Sequence, residues 1–149
     1  MRAQNLRILL IDDNRHGLVA RRTVLQQQGH QVSTAGSGAA GLELFAAEPF
    51  DLVVTDYRMP EMSGAQVIRK IRQQEPNIPI VLLSGFVEAL GLTEQSTGAD
   101  VVLSKGPGEV QELIRTVARL ARRRSPAKPP GSTAVSRRQP ARTPKKKTG

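Results

Sequence analysis

The chain has 149 residues, no cysteine, two histidines and a formal net charge of +9 at pH 7. The lack of cysteine excludes a disulfide framework, a catalytic thiolate and a cysteine-ligated zinc site, and two separated histidines do not make a histidine-rich metal site. The length is enough to bury one hydrophobic core without crosslinks, so a single folded domain is expected.

The charge is unevenly distributed along the chain. Residues 122–149 contain ten Lys/Arg and no Asp/Glu, whereas residues 1–121 contain twelve basic and thirteen acidic residues. The last segment is rich in Pro, Ser and Thr and cannot bury enough apolar surface to offset the entropy of ordering. We therefore predict a near-neutral domain over residues 1–121 and a disordered basic tail over residues 122–149.

The start of the chain shows no apolar signal region, and no apolar run approaches membrane-spanning length. We therefore expect a cytoplasmic protein without a transmembrane segment.

The first predicted strand is the apolar run from Leu6 to Ile11, which leads into two consecutive acids, Asp12 and Asp13. A helix follows, capped by Asn14 and stopped by Gly29. Its apolar positions are Leu18, Val19, Val24 and Leu25. The second predicted strand, residues 31–35, is more polar than the others, so we assign it to an edge of the sheet. A second helix, which carries Leu42, Leu44 and Phe45, ends at Pro49.

The same alternation continues to residue 121. Residues 52–55 form an apolar strand that leads to Asp56, and Ser63 to Gln66 form a capping box that begins the third helix. Residues 78–83 lead to Ser84, and a weaker helical stretch follows as far as Gly98. Residues 101–103 lead to Ser104 and Lys105. The last helix has the clearest apolar period, formed by Val110, Leu113, Ile114, Val117 and Leu120.

Five strands that alternate with five helices predict an α/β domain with a doubly wound sheet and right-handed crossovers. The predicted fold is a single (βα)5 flavodoxin-like domain with a parallel five-stranded sheet in the order 2-1-3-4-5. In that order strands one and three are neighbours, and ligands bind where the carboxyl ends of the strands meet. Asp12, Asp13 and Asp56 are therefore expected to lie together.

Three converging carboxylates repel one another and raise the pKa of at least one of them unless a cation neutralises them. Mg²⁺ prefers oxygen ligands and suits an exposed acidic cluster, so it is the expected cofactor. Its predicted ligands are Asp12, Asp13 and Asp56, together with the backbone carbonyl of Arg58. Asp51 and Asp100, which precede strands, are interpreted as structural turn or cap residues.

Asp56 is the best candidate nucleophile because it ends the central strand. A carboxylate needs no general base, and its attack on phosphorus forms an acyl phosphate. The Ser84 hydroxyl and the Lys105 ammonium would then bind two phosphoryl oxygens. These three residues form the predicted catalytic set.

The motifs at the strand ends resemble the receiver domain of bacterial two-component response regulators over residues 6 to about 121. They are Ile11-Asp12-Asp13-Asn14, Thr55-Asp56-Tyr57-Arg58-Met59-Pro60 followed by Ser63-Gly64, Leu83-Ser84-Gly85 and Ser104-Lys105. The resemblance implies that Asp56 accepts a phosphoryl group from a sensor histidine kinase or phosphotransfer protein in a phosphorelay, with Asp12 and Asp13 holding Mg²⁺. It also implies that Ser84 and Lys105 sense the phosphoryl group and that the protein is a conformational switch, not an enzyme acting on an external substrate.

The sequence departs from this family at two places. Val102 stands where the family has an aromatic residue three before the lysine, so the aromatic rotamer switch is missing. The output must then use a different group or a smaller displacement. Lys105 is followed by Gly106 and Pro107 instead of directly by proline, and Gly106 is permissive enough to let the ammonium reach inward.

The leading hypothesis is a stand-alone receiver that acts as a protein-interaction switch without a folded output domain, with an unknown downstream protein. One alternative is a DNA-associated regulator whose basic tail binds nucleic acid, or equally an anionic surface, without sequence preference. Another is a phosphorylation-independent scaffold. An aspartate-nucleophile phosphatase ranks low because Arg58 occupies the position of its second acid. Exposed faces of the last two predicted helices leave open a phosphorylation-dependent dimer.

Overall fold

The computed structural model describes residues 5–85 and 87–123. Strands and helices alternate along these residues. In chain order they are β1 (Arg7–Ile11), α1 (Arg15–Gln27), β2 (Gln31–Ala35), α2 (Gly38–Ala47), β3 (Leu52–Asp56), α3 (Gly64–Gln74), β4 (Ile80–Ser84), α4 (Val87–Leu90), α5 (Glu94–Thr97), β5 (Val101–Ser104) and α6 (Glu109–Ala121). Nearly all of the predicted basic tail, from residue 124 onward, lies outside the described residues.

The five strands form one parallel sheet in the order β2-β1-β3-β4-β5. This confirms the predicted flavodoxin-like fold. The polar strand β2 lies at an edge, as its sequence indicated, while β3 and β4 are buried along their whole length. Runs of apolar residues therefore mark the strands that are covered on both faces.

The sheet separates two hydrophobic clusters, one on each face. Successive side chains of a strand point to opposite faces, and β1 accordingly sends Leu9 and Ile11 into one cluster and Ile8 and Leu10 into the other. Helices α2 and α3 cover the first face, and α1 and α6 cover the second. The strand ends therefore meet at one edge of a sheet that is covered on both faces.

Side-chain caps begin several of the helices. The Asn14 side chain accepts from the Gly17 N–H at the start of α1. The capping box predicted at Ser63 and Gln66 is present, with both reciprocal hydrogen bonds. Local sequence therefore defines these helix starts.

The single helical stretch predicted after β4 is instead two short helices, α4 and α5. Gly91 between them has a left-handed φ of 64°, and Thr93 begins α5 with its own capping box. A left-handed residue ends a helix, and glycine adopts this conformation without steric cost. Within the described residues, no helix is long and apolar enough to cross a membrane.

Candidate phosphoryl-transfer site

The predicted site residues lie at the carboxyl ends of four neighbouring strands. Asp12 directly follows β1, Asp56 ends β3, Ser84 ends β4 and Lys105 directly follows β5. The pairing of β1 with β3, of β3 with β4 and of β4 with β5 brings these positions to one edge of the sheet. We call this edge the carboxyl edge.

Three acids converge at the carboxyl edge. One carboxylate oxygen from each of Asp12, Asp13 and Asp56 lies within 4.8 Å of the others. Asp12 is 1% exposed and Asp56 is 5% exposed, whereas Asp13 is exposed to solvent. The cluster is thus open on one side, which leaves room for an incoming group.

Lys105 reaches inward to this cluster from the β5–α6 loop. Its Nζ lies 2.5 Å from Asp56 Oδ1 and 4.0 Å from Asp12 Oδ2. The next residue, Gly106, has a φ of 141°, a backbone conformation that side-chain-bearing residues rarely adopt. The sequence Lys-Gly-Pro therefore allows the ammonium group to contact the central aspartate.

The surroundings of Asp56 disfavour its charged form. Burial raises the pKa of the Asp56 carboxyl above its ordinary value, and the charges of Asp12 and Asp13 raise it further. The hydrogen bond and positive charge of Lys105 oppose these effects without cancelling them. An added cation would therefore stabilise the ionised, nucleophilic form.

Ser84 is 2% exposed, and its backbone carbonyl accepts from the Lys105 N–H at 2.9 Å. Arg58 is exposed in the loop that follows β3. This loop is held close to Asp56 because the Gly64 N–H donates to the Tyr57 carbonyl at 2.7 Å. A Cβ at Gly64 would meet the backbone carbonyl of Asp56, so only glycine allows this approach.

Sequence reasoning missed two charged residues at the site, Arg21 and Glu109. Arg21 Nη1 donates to Asp12 Oδ2 at 2.8 Å, and the Nε and Nη2 groups of Arg21 donate to the two Glu109 oxygens at 2.9 and 3.0 Å. Both residues are 7% exposed. Burial lowers the pKa of Arg21, but Glu109 and Asp12 outweigh burial and raise it overall.

A signal for Arg21 existed in the sequence. It lies three residues after Leu18 and four before Leu25, on the apolar stripe of α1, where a charged side chain needs a buried partner. Nothing local indicated that the partner would be Glu109, which is 88 residues away.

The acidic cluster fits a divalent cation. Its donors are carboxylate oxygens, the atoms that Mg²⁺ prefers, and they come from three side chains that already lie close together. Burial and, after it, the charges of Asp12 and Asp13 raise the pKa of Asp56 despite the contact with Lys105, and a bound cation would oppose both effects.

Comparisons with known proteins agree with this geometry. The family model for the response regulator receiver domain matches residues 8–118. The response regulator MprA of Mycobacterium sp. (strain KMS) is 34% identical over 135 residues, covering 88% of this chain and 57% of MprA. The chain therefore spans little more than half the length of this relative.

Two solved structures share the fold. The receiver domain of the Francisella response regulator 1452 superposes with a TM-score of 0.73 at 28% identity and covers 80% of this chain and 98% of that one. The response regulator TrrA from Thermotoga maritima, solved in complex with Mg²⁺-BeF, has a TM-score of 0.69 at 30% identity and covers 76% and 97% of the two chains.

Receiver domains are signalling switches that bind Mg²⁺ at an acidic site and interact with histidine kinases or phosphotransfer proteins. The strand order, the acids at the carboxyl edge and a family match that spans most of the folded domain lead to one assignment: the chain belongs to the receiver domain family of two-component response regulators.

Proposed function

We propose that Asp56 accepts a phosphoryl group from the phosphohistidine of a sensor histidine kinase or phosphotransfer protein. One observation carries the proposal. The Asp56 carboxylate is almost fully buried at the centre of the carboxyl edge, with Lys105 at 2.5 Å and two further acids within 4.8 Å. A buried carboxylate among these charges is suited to gain and lose a charged phosphoryl group.

The proposed transfer is a single displacement at phosphorus. A carboxylate oxygen of Asp56 forms a P–O bond while the P–N bond of the phosphohistidine breaks, and the electron pair returns to the imidazole nitrogen. The product is an acyl phosphate on Asp56. Water later cleaves it to inorganic phosphate and the free carboxylate, so the protein catalyses only its own phosphorylation and dephosphorylation.

The side chains around Asp56 have distinct proposed roles. Asp12, Asp13, Asp56 and the Arg58 carbonyl would hold Mg²⁺, which when bound supplies positive charge that stabilises the transferred group. The Lys105 ammonium exchanges its contact with Asp56 for a phosphoryl oxygen, and the Ser84 hydroxyl donates to another. Movement of these two groups would report phosphorylation to the rest of the domain.

The proposed output is a change in a protein-binding surface. Val102 stands in place of the family's aromatic switch residue and packs, partly buried, against the core cluster on the α2–α3 face. The switch therefore needs displacement of the β4 and β5 ends themselves, where Ser84 and Lys105 lie, rather than rotation of an aromatic ring. Phosphorylation-dependent dimerisation stays a prediction, which light scattering with and without acetyl phosphate would test.

Intact mass spectrometry after incubation with acetyl phosphate tests the central claim. We expect an adduct of about 80 Da, one phosphoryl group, that requires both Mg²⁺ and Asp56. The Asp56→Asn variant should show none. The matched control is Asp51→Asn, which alters another buried aspartate and should be labelled like the wild type. An adduct that persists in Asp56→Asn would contradict the proposal.

The concentration of positive charge in residues 122–149 favours a second function, salt-sensitive binding to nucleic acid or another anionic surface. Ten basic residues without an acidic residue or an aromatic residue predict binding without sequence preference. Removal of residues 122–149 should abolish retention on immobilised DNA at low salt. Retention that is unchanged by this truncation would exclude the tail as the binding element.

A further inference from the structure

We infer that Arg21 and Glu109 are positioning residues that set the Mg²⁺ affinity of the acidic cluster, with Arg21 lowering it and Glu109 restoring it. The inference rests on the proposed role of Asp12 as a Mg²⁺ ligand. It concerns this chain's own residues and their contacts with Asp12.

Arg21 makes direct contact with one of the proposed ligand side chains. Asp12 Oδ2 accepts from Arg21 Nη1 at 2.8 Å, and Asp12 Oδ1 accepts from the Asn14 N–H at 2.9 Å. The Asp12 carboxylate is thus held at both oxygens. A guanidinium at this distance repels a cation bound to the same carboxylate and competes for its lone pairs.

Glu109 offsets the charge of Arg21. Its two oxygens form a bidentate pair with the Nε and Nη2 groups of Arg21, on the opposite side of the guanidinium from the contact with Asp12. Asp12, Asp13, Asp56 and Glu109 set against Lys105 and Arg21 leave a net charge of −2, which a divalent cation would neutralise. Without Glu109 the same cluster would carry −1.

Gly17 gives room to this arrangement. It lies in the first turn of α1, and a Cβ there would come within 2.8 Å of Arg21 Nη1 and 3.3 Å of Asp12 Oδ2. Gly17 on α1 and Glu109 on α6, two helices that are far apart in sequence, therefore accommodate the Arg21 guanidinium against Asp12. Because Glu109 is the first residue of α6, its pair with Arg21 also joins the acidic cluster to the start of that helix.

Substitutions of Arg21 and Glu109 should change the Mg²⁺ affinity in opposite directions. This result distinguishes residues that tune the cation site from a purely structural ion pair. Glu109→Gln, which keeps the shape and an acceptor oxygen, should weaken Mg²⁺ binding by about five-fold or more. Arg21→Met should strengthen it by a similar factor. The double variant should return to within about two-fold of the wild type. A structural pair would change binding in the same direction in both single variants.

The measurement is the dissociation constant for MgCl2 by titration calorimetry on the full chain, with fluorescence of Tyr57 as a second readout. Tyr57 directly follows Asp56 and is the only tyrosine in a chain without tryptophan. The matched control is the Arg72–Asp100 ion pair at the amino edge of the sheet. Its N–O distance of 2.9 Å equals that of the Arg21–Glu109 pair. Arg72→Met and Asp100→Asn should lower the melting temperature and leave the Mg²⁺ dissociation constant unchanged.

Two outcomes would overturn this inference and leave the proposed function standing. In one, the Mg²⁺ dissociation constants of Arg21→Met and Glu109→Gln change in the same direction. In the other, both constants stay within two-fold of the wild type. If Arg21→Met does not fold, Glu109→Gln carries the test together with Arg21→Lys, which keeps the charge and should not tighten binding. A wild-type protein that binds no Mg²⁺ would overturn both this inference and the metal site of the proposed function. Loss of the phosphoryl adduct with Mg²⁺ binding intact would contradict only the proposed function.

Discussion

The two edges of the sheet differ in whether their aspartates lie close together. At the amino edge, Asp51 Oδ2 accepts from the Arg7 N–H at 2.9 Å and Asp100 Oδ2 accepts from the Ile80 N–H at 2.8 Å. At the carboxyl edge, the oxygens of Asp12 and Asp56 lie near one another and contact the side chains of Arg21 and Lys105.

The difference follows from the direction of parallel strands. Strands begin with N–H groups that lack a partner in the ladder, so a carboxylate at the amino edge accepts hydrogen bonds from the backbone and is structural. His30 follows the same rule, because its Nδ1 accepts from the Leu6 N–H at 3.0 Å. Where the strands end, the carboxylates of Asp12 and Asp56 lie close together, and each pairs with a cationic side chain. Residue type alone therefore does not identify a functional aspartate.

The largest expected effect is stabilisation by Mg²⁺ at the carboxyl edge. At one hundred times its dissociation constant the cation should raise the free energy of unfolding by about 2.7 kcal/mol, because it binds only the folded state. Urea unfolding with and without MgCl2 measures this. Asp56→Asn should reduce this Mg²⁺-dependent rise in the free energy of unfolding, whereas Asp51→Asn should leave the rise unchanged. An equal reduction in both variants would remove the distinction between the two edges.

The next effect is loss of stability at the amino edge without loss of phosphorylation. Asp51 is fully buried, and Asp51→Ala would leave the Arg7 N–H without that acceptor, which should lower the free energy of unfolding by roughly 1–3 kcal/mol. Chemical unfolding gives the stability, and the acetyl phosphate adduct gives the function. Loss of the adduct in protein shown to be folded would contradict a structural role.

The smallest effect is the pH dependence of His30. Burial lowers the pKa of His30 below 6.5, so the unfolded state binds the proton more readily than the folded state. This contribution to stability is fully present above 6.5 and is lost as the pH falls toward the folded-state pKa, by at most about 1.4 kcal/mol per pH unit.

Urea unfolding between about pH 7.5 and pH 5.5 tests the His30 prediction, since this window brackets the ordinary histidine pKa. His30→Asn keeps an acceptor for the Leu6 N–H but does not titrate, so it should remove part of the slope. Equal slopes in the wild type and His30→Asn would show that His30 does not contribute.

Local patterns in the sequence predicted the strands, the caps at Asn14 and Ser63, and the acids that follow the strands. The apolar pattern of a single helix predicted less reliably which of its side chains are buried, because packing against other elements decides burial. Val19 belongs to the predicted apolar set of α1 but is 44% exposed, while Arg21 on the same helix is buried. Arg21 can lie on the buried face of α1 because Asp12 and Glu109 compensate its charge.

The sequence by itself determined the order of the elements, the sheet they form and the convergence of Asp12, Asp13 and Asp56, because parallel strand ends must meet at one edge. Only the tertiary structure decided which charges compensate one another. Lys105 pairs with Asp56, and Arg21 joins Asp12 to Glu109 across 88 residues. Such pairs depend on distance and burial in three dimensions, and neither hydrophobic periodicity nor residue spacing contains that information.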